Sequence, residues 1–277
     1  MWLEHELAVA RAAAEQAARL IMEVYASDFA VDWKGEGDPV TVADRRANDH
    51  IVRLLRAEFA NDAICSEEGD SAQSALASSR GGRCWFVDPL DGTREFVSKN
   101  GEFSVMIGLA IDGCAVLGCV RAPVWEREYF AVANHGAKVV SLADAAQTER
   151  PLVAGSWPAA EPLSIAVSRS HLAPAVRALT DALNARPVAC GSVGLKVALV
   201  LEGRATLYAH SGAGAKLWDG CAPLAIASEA GLVCSDANGR AIGYHTEQLG
   251  LDRGIVVAPQ ALHSRVIETM QQIHSRK

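Results

Sequence analysis

Two acidic stretches far apart in the chain have the composition to do chemistry: Asp88-Pro89-Leu90-Asp91-Gly92-Thr93 and Trp218-Asp219-Gly220. A further acidic pair, Glu67-Glu68, lies upstream of the first. Pro89 fixes the backbone between Asp88 and Asp91, and Gly92 allows a sharp turn after them. Both carboxylates can therefore reach one cation, or one of them can bridge two. The Leu90 carbonyl between them is another hard oxygen donor. Carboxylates alone repel phosphate, whereas carboxylates holding hard cations bind and polarise it. Each piece also has a plainer role: an Asx-turn for Asp88 to Thr93, a solvated pair for Glu67-Glu68, helix caps for Asp44 and Asp219. Several strand–helix junctions that each present a carboxylate amid Gly and Thr favour the chemical role, a metal-dependent phosphatase.

The elements that must position these residues can be read from periodicity. Leu3 to Tyr25 carries an apolar stripe (Leu7, Ala10, Ala14, Ala17, Ile21, Val24) and predicts a helix. A polar loop is expected from Ser27 to Pro39. Thr41 with Asp44 three positions on forms a capping box for a second helix through Phe59. A short strand near Ile64 and a polar break from Gly69 to Gly82 follow. Strands are predicted at Cys84–Val87, Phe103–Ile111, Ala115–Arg121 and Glu128–Val132, with Asp112-Gly113 as a tight hairpin. The proline-bearing segment from Leu142 to Pro162 reads as a junction. It divides the chain into a metal-binding α+β domain, 1–150, and a substrate-binding α/β domain, 151–277. In the second, strands at Leu163–Val167, Val188–Cys190, Ala205–Tyr208 and Ile255–Ala258 alternate with helices at Leu172–Leu183, Val193–Leu201 and Cys221–Ala230. A terminal helix starts at Pro259. Stacked α/β layers are the expected architecture.

The chain of 277 residues is half apolar and carries a formal net charge of −7. That charge speaks against a nucleic-acid backbone as partner but leaves room for a small anion beside bound cations. No apolar run reaches membrane-spanning length. Glu4, His5 and Glu6 stand where a secretory signal would carry positive charge, so a cytoplasmic location is expected. The seven cysteines are scattered without zinc-site spacing and read as reduced packing residues. Monomer and homodimer both remain open.

The ordered set of Asp38-Pro39-Val40-Thr41-Val42-Ala43-Asp44, Ser66-Glu67-Glu68, Asp88 to Phe96, Asn100-Gly101-Glu102-Phe103 and Trp218-Asp219 ahead of Ala222-Pro223 resembles the lithium-sensitive, magnesium-dependent phosphatases of the inositol monophosphatase superfamily. The resemblance covers nearly the whole chain. It implies an α-β-α-β-α sandwich of the sugar-phosphatase type, two or three Mg2+ ions and inhibition by lithium. It implies Glu67, Asp88, the Leu90 carbonyl, Asp91 and Asp219 as metal ligands. Glu67 and Thr93 would activate water, with Asp44 behind Thr93 and Gly92 offering backbone donors to phosphate. A loop from Asp28 to Asp38, with Lys34 and Glu36, would close over the site.

Within the superfamily, Arg94-Glu95-Phe96, Ser168-Arg169-Ser170-His171, Gly191 to Lys196 and Lys216 to Pro223 most resemble the 3'(2'),5'-bisphosphate nucleotidase branch. That resemblance implies His171 and Ser168 on the adenosine side, Gly194 and Lys196 on a 5'-phosphate, and Asp219 reaching the substrate as well as a metal. The expected reaction is hydrolysis of 3'-phosphoadenosine 5'-phosphate to AMP and phosphate, with a place in sulfate assimilation. An inositol monophosphatase or related sugar-phosphate phosphatase is the alternative. Gly220 departs from the Thr or Val usual after the aspartate.

Overall fold

A computed structural model describes residues 3–35, 38–69, 72–79, 82–155, 162–212, 214–245 and 248–275. In the first half, α1 (Glu4–Tyr25) leads through the strands β1 (Val31–Gly35) and β2 (Asp38–Thr41) into α2 (Val42–Glu58). Then follow β3 (Ala63–Ser66), α3 (Ala72–Ser79), β4 (Arg83–Asp91) and the short α4 (Thr93–Val97). A meander completes this half: β5 (Ser104–Ile111), β6 (Cys114–Ala122), β7 (Arg127–Val132), β8 (Ala137–Ser141) and β9 (Arg150–Leu152). Strands β3 to β9 form one seven-stranded sheet in sequential order, antiparallel except for the parallel pair β3–β4.

The second half comprises β10 (Ser164–Ser168), α5 (Pro174–Ala182), β11 (Arg186–Cys190), α6 (Val193–Leu201), β12 (Leu207–His210), α7 (Leu217–Glu229), β13 (Val233–Ser235), β14 (Ile255–Ala258) and α8 (Gln260–Ser275). Its sheet has the order β11-β10-β12-β14-β13, with β10 parallel to both neighbours and β14 antiparallel to both of its own.

Strand alternation sorts the large sheet into two faces. Trp85, Val87, Val105, Ile107 and Leu109 meet the alanine-rich stripes of α1 and α2. Cys84, Phe86, Met106 and Val120 face the other way, onto α6 and α7. Those helices are covered in turn by the five-stranded sheet, whose outer residues Ile165, Val167, Leu207 and Val256 pack under α5 and α8. The result is the α-β-α-β-α sandwich.

Two glycines seat α7. Gly108 and Gly118 are register partners on β5 and β6. A Cβ on the first would lie 2.7 Å from the Ala222 nitrogen, and one on the second 2.2 Å from the Ala222 carbonyl oxygen. Only bare backbone lets the helix lie this close. Its first turn, carrying Asp219, is thereby brought over the end of β4.

Several expectations change. The loop expected from Ser27 to Pro39 is the β1–β2 hairpin; Glu36 lies outside the described residues, as does the side chain of Lys34. The break from Gly69 to Gly82 contains α3, short and weakly amphipathic, hence hidden from a periodicity reading. Strands β8, β9 and β13 are too short for a clear alternation, and β9 lies inside the segment read as a junction, across the 150/151 boundary. Helix α7 starts at Leu217 rather than Cys221, with Pro223 inside it. Asp219 therefore sits in the first turn of α7, not ahead of it. Among the described residues no helix is long and apolar enough to cross a membrane.

Candidate active site

The register of β4 against β5 slips between Asp88 and Asp91: Asp88 pairs with Met106, but Asp91 pairs with Ser104. One residue too many on β4 makes a bulge, which turns both aspartates toward the same side. Asp88 accepts the Leu90 N–H on Oδ1 at 3.0 Å. Gly92 then adopts φ +96°, where a Cβ would lie 2.7 Å from the Glu102 carbonyl oxygen, and α4 begins at Thr93. Glu67 follows the end of β3, and its N–H is held by the Val87 carbonyl at 3.0 Å. The parallel pair β3–β4 and the seated α7 thus deliver carboxylates from three segments to one point.

Ligand oxygens of Asp88, Asp91 and Asp219 all lie within 4.8 Å of one another. Asp88 is 2 % exposed. Its carboxyl is pushed well above the ordinary range by burial first, then by the charges of Glu67, Asp91 and Asp219, and by a hydrogen bond with Glu67. Burial and then Asp91 push Asp219 up as well. So many like charges in a dry place are unfavourable unless protons or a cation offset them. The donors are oxygens alone, which suits a hard divalent ion. The residues present therefore fit a divalent metal.

Neighbouring groups aim the cluster. Ser192, the N-cap of α6, donates from Oγ to Asp91 Oδ2 at 2.5 Å, and the Gly194 N–H reaches the same oxygen at 3.1 Å. Asp219 Oδ2 accepts the Lys216 N–H at 2.7 Å. Thr93 Oγ1 lies 3.0 Å from Asp44 Oδ1 and 3.1 Å from the Leu90 carbonyl oxygen. Its single proton serves these acceptors, which leaves lone pairs for a water. The other Asp44 oxygen closes the capping box with the Thr41 N–H and hydroxyl, both at 2.7 Å. Burial raises the Asp44 carboxyl despite these bonds.

A cleft of about 640 Å³ opens over the cluster. Glu67, Asp88, Leu90, Asp91, Gly92, Thr93, Ser168, His171, Lys196 and Asp219 all line it. Asp44 lies behind it, bonded to Thr93. Gly194 departs from its expected place on a 5'-phosphate. Its N–H is taken by Asp91, and a Cβ there would meet Ser104 Oγ at 2.8 Å and Met106 Sδ at 2.9 Å, so it packs onto the sheet. Lys196 is 5 % exposed, with Nζ 5.8 Å from the Tyr208 ring centroid. Among the described residues its ammonium has no hydrogen-bond acceptor and meets only the Tyr208 ring. His171 is exposed, with Nδ1 3.4 Å from Arg94 Nη1.

Sequence reasoning gave no role to His210 or to the Ser192 side chain, and did not pair Glu102 with Arg169. For Ser192 the signal was available, since a serine ahead of an apolar run is an N-cap. Nothing along the chain marks His210 or links Glu102 to Arg169. Cys65 and Cys84 are pushed by burial to about 12, so neither offers a thiolate.

A central layer of helices that carries an oxygen-only cluster to the end of a strand suits a hydrolase working through divalent metal. The chain belongs to the inositol monophosphatase family, which matches residues 2–275. It is 32% identical over 253 residues to the 3'(2'),5'-bisphosphate nucleotidase CysQ of Salmonella typhimurium, covering 88% of this chain and 96% of that protein. It is 31% identical over 241 residues to a 3'-phosphoadenosine 5'-phosphate phosphatase of Mycobacterium bovis, covering 83% and 80%. The crystal structure of CysQ from Bacteroides thetaiotaomicron superposes with a TM-score of 0.78 at 30% identity, over 94% of this chain and 98% of that one. A Thermotoga maritima IMPase shares the fold at a TM-score of 0.80 and 22% identity, over 98% and 99%.

Proposed function

We propose that the protein is a magnesium-dependent phosphomonoesterase that removes the 3'-phosphate from 3'-phosphoadenosine 5'-phosphate, giving AMP and inorganic phosphate. The observation that carries this reading is the meeting, in one cleft, of the carboxylate cluster with Lys196, a nearly buried cation whose ammonium has no hydrogen-bond acceptor among the described residues. A substrate with two phosphates answers both features. The nucleotidase names of relatives such as those of Salmonella typhimurium and Mycobacterium bovis support the same substrate.

Glu67, Asp88, the Leu90 carbonyl, Asp91 and Asp219 would hold two or three Mg2+ ions, with lithium as an expected inhibitor. Bound there, magnesium supplies Lewis-acid polarisation of the ester and offsets charge on the departing oxygen. The chain does the rest. Thr93, its hydroxyl proton directed at Asp44 and the Leu90 carbonyl, accepts a hydrogen bond from the attacking water on a free lone pair and so orients it. Glu67 takes the water's other proton as general base, and the hydroxide so formed, still hydrogen-bonded to Thr93, faces the phosphorus. The backbone after Gly92 offers N–H donors to phosphate oxygens. Lys196 neutralises the 5'-phosphate as a point charge, and Ser168 and His171 border the nucleoside. Water attacks in line, with no covalent enzyme intermediate.

The test is a side-by-side rate on 3'-phosphoadenosine 5'-phosphate and inositol 1-phosphate with excess magnesium. The nucleotide is expected to show the higher kcat/KM. A preference for the inositol ester overturns the assignment and returns the chain to the inositol phosphatases.

A further inference from the structure

Glu102, just ahead of β5, reaches across to the substrate-facing half of the cleft. Its carboxylate accepts three hydrogen bonds from two loops. Arg169 donates from Nη2 to Oε1 at 2.5 Å and from Nε to Oε2 at 2.6 Å, a two-pronged pairing. The Gly191 N–H reaches Oε2 at 2.8 Å. Arg169 Nη2 also bonds the Ala189 carbonyl oxygen at 2.9 Å, and its N–H bonds the Cys190 carbonyl oxygen at 3.1 Å. The loop after β10 and the turn after β11 are thus tied to each other and to Glu102.

Glu102 itself is fixed. Its N–H bonds Asn100 Oδ1 at 2.9 Å. Gly191 lies so close that a Cβ would meet Glu95 Cγ at 2.4 Å and the Glu102 carbonyl oxygen at 2.6 Å. Glu95 adds a bond from the Ser170 hydroxyl. Neither Glu102 nor Arg169 lines the cleft, but Ser168, Ser170, His171, Gly191 and Ser192 do. The pair stands directly behind the wall.

An ordinary surface ion pair contributes little, and the Arg169 side chain is 44 % exposed. Three features separate this one. The Glu102 side chain is only 17 % exposed, the guanidinium engages both of its oxygens, and a backbone N–H from a different loop completes the set. Burial would raise the Glu102 carboxyl, but the bonds from Arg169 and Gly191 and the charges of Arg169 and Lys196 bring it below its ordinary range. The clamp is therefore ionised throughout neutral pH.

We infer that Glu102 is a positioning residue for substrate specificity: with Arg169 and Gly191 it locks the nucleoside-side wall of the cleft at a fixed distance from the carboxylate cluster. The inference rests on the nucleotide reading above for the identity of the large substrate. It concerns recognition and leaves the reacting centre untouched. A substrate that spans from cluster to wall needs the spacing held; a small aryl phosphate that occupies only the cluster does not.

Glu102→Gln keeps the shape and one acceptor oxygen for Gly191 but removes the charge and the second acceptor, and Arg169→Lys keeps the charge but removes the fork. With excess magnesium, Glu102→Gln should raise KM for 3'-phosphoadenosine 5'-phosphate about tenfold, the scale of a charge-assisted hydrogen bond, with kcat unchanged. kcat/KM on para-nitrophenyl phosphate should not move. Arg169→Lys should show a smaller loss of the same kind, and the double variant no more loss than Glu102→Gln alone. Equal losses on both esters, or a fall in kcat at constant KM, would overturn the inference. Hydrogen–deuterium exchange gives a readout independent of any substrate. Amides of 168–171 and 189–192 should exchange faster in both variants, while those of 84–88 keep their protection. Unchanged exchange in the two loops overturns the clamp. Wild-type enzyme that turns over the nucleotide no better than para-nitrophenyl phosphate sinks the substrate reading instead, and exchange then decides the clamp alone.

Discussion

The two walls of the cleft are built on opposite plans. On one, Asp88, Leu90, Asp91, Gly92 and Thr93 lie within a single turn of chain at the end of β4, and a bulge against β5 sets their directions. On the other, Ser168, His171, Lys196 and His210 come from separate elements of the second half. Bonds reaching across from Asp91, Glu95 and Glu102 hold that wall in place. The core of the first wall is one short motif, completed by Glu67 and Asp219 from other segments. The second depends on partners far apart in sequence. Substrate choice can therefore be damaged without the reaction chemistry, whereas Asp91, which also holds Ser192 and Gly194, links the two walls.

The most severe separation comes from the cluster. Asp91→Asn and Asp219→Asn should abolish magnesium-supported turnover on every ester, large or small. Losing one anionic ligand forfeits several kcal/mol of charge stabilisation, on the order of 10³-fold in rate. The fold should survive, since both residues sit at the cleft and not in a packed core. Magnesium titrations of kcat beside thermal unfolding curves check this. Retained turnover with an unaltered magnesium requirement in either variant would remove that residue from the ligand set.

The opposite wall should give a selective defect. Lys196→Ala should lower kcat/KM on 3'-phosphoadenosine 5'-phosphate by roughly 10–100-fold, the range for a hydrogen bond to a charged group. Its activity on para-nitrophenyl phosphate should stay near wild type. His171→Ala should act in the same direction but less, because an exposed ring contributes contact and no charge. Proportional losses on both esters would mean that Lys196 supports the cluster instead of the substrate, and the comparison between the walls would collapse.

How far each wall could be read from the chain follows from the same difference. The capping box at Thr41 and Asp44 and the apolar stripe of α1 are local signals, and both appear in the structure as expected. The gathering of Asp88 and Asp91 with Asp219 was also legible, although the seating of α7 was not. Nothing along the chain says that Gly108 and Gly118 face each other and admit a helix backbone. Gly194 was misplaced for a related reason. A glycine at a helix start reads as a free anion donor, but here Asp91 reaches over and takes the N–H. Strands β8 and β9 were hidden because a sheet edge can be built from short segments whose alternation is too brief to register.

The mildest effect concerns pH, and there too the walls should differ. His210 lines the cleft and is held down to about 4, first by burial and then by the positive charge of Lys196. Its Nδ1 accepts the Gly212 N–H at 3.0 Å, a role that a doubly protonated ring cannot fill. In the unfolded chain the imidazole titrates near 6.5. Between those values the unfolded chain takes up a proton that the native protein refuses. Stability on this account is complete above about 6.5 and is lost as the pH falls toward about 4. At about 1.36 kcal/mol per pK unit the loss reaches at most roughly 3 kcal/mol. Asp88 and Asp219 act with the opposite sign. Both are raised by burial and neighbouring charge, so in metal-free protein their contribution is present at low pH and lost as the pH rises through their folded-state values. Urea midpoints of chelator-treated wild type and His210→Gln, measured from neutral pH into the acid range, isolate the histidine. The difference between the two proteins should shift against the wild type as the pH falls from about 6.5 toward about 4. Lys196→Ala in both backgrounds should shrink that shift by removing its second cause. A difference that stays constant with pH would mean that His210 titrates as in water, and that the substrate wall is wetter than its burial implies.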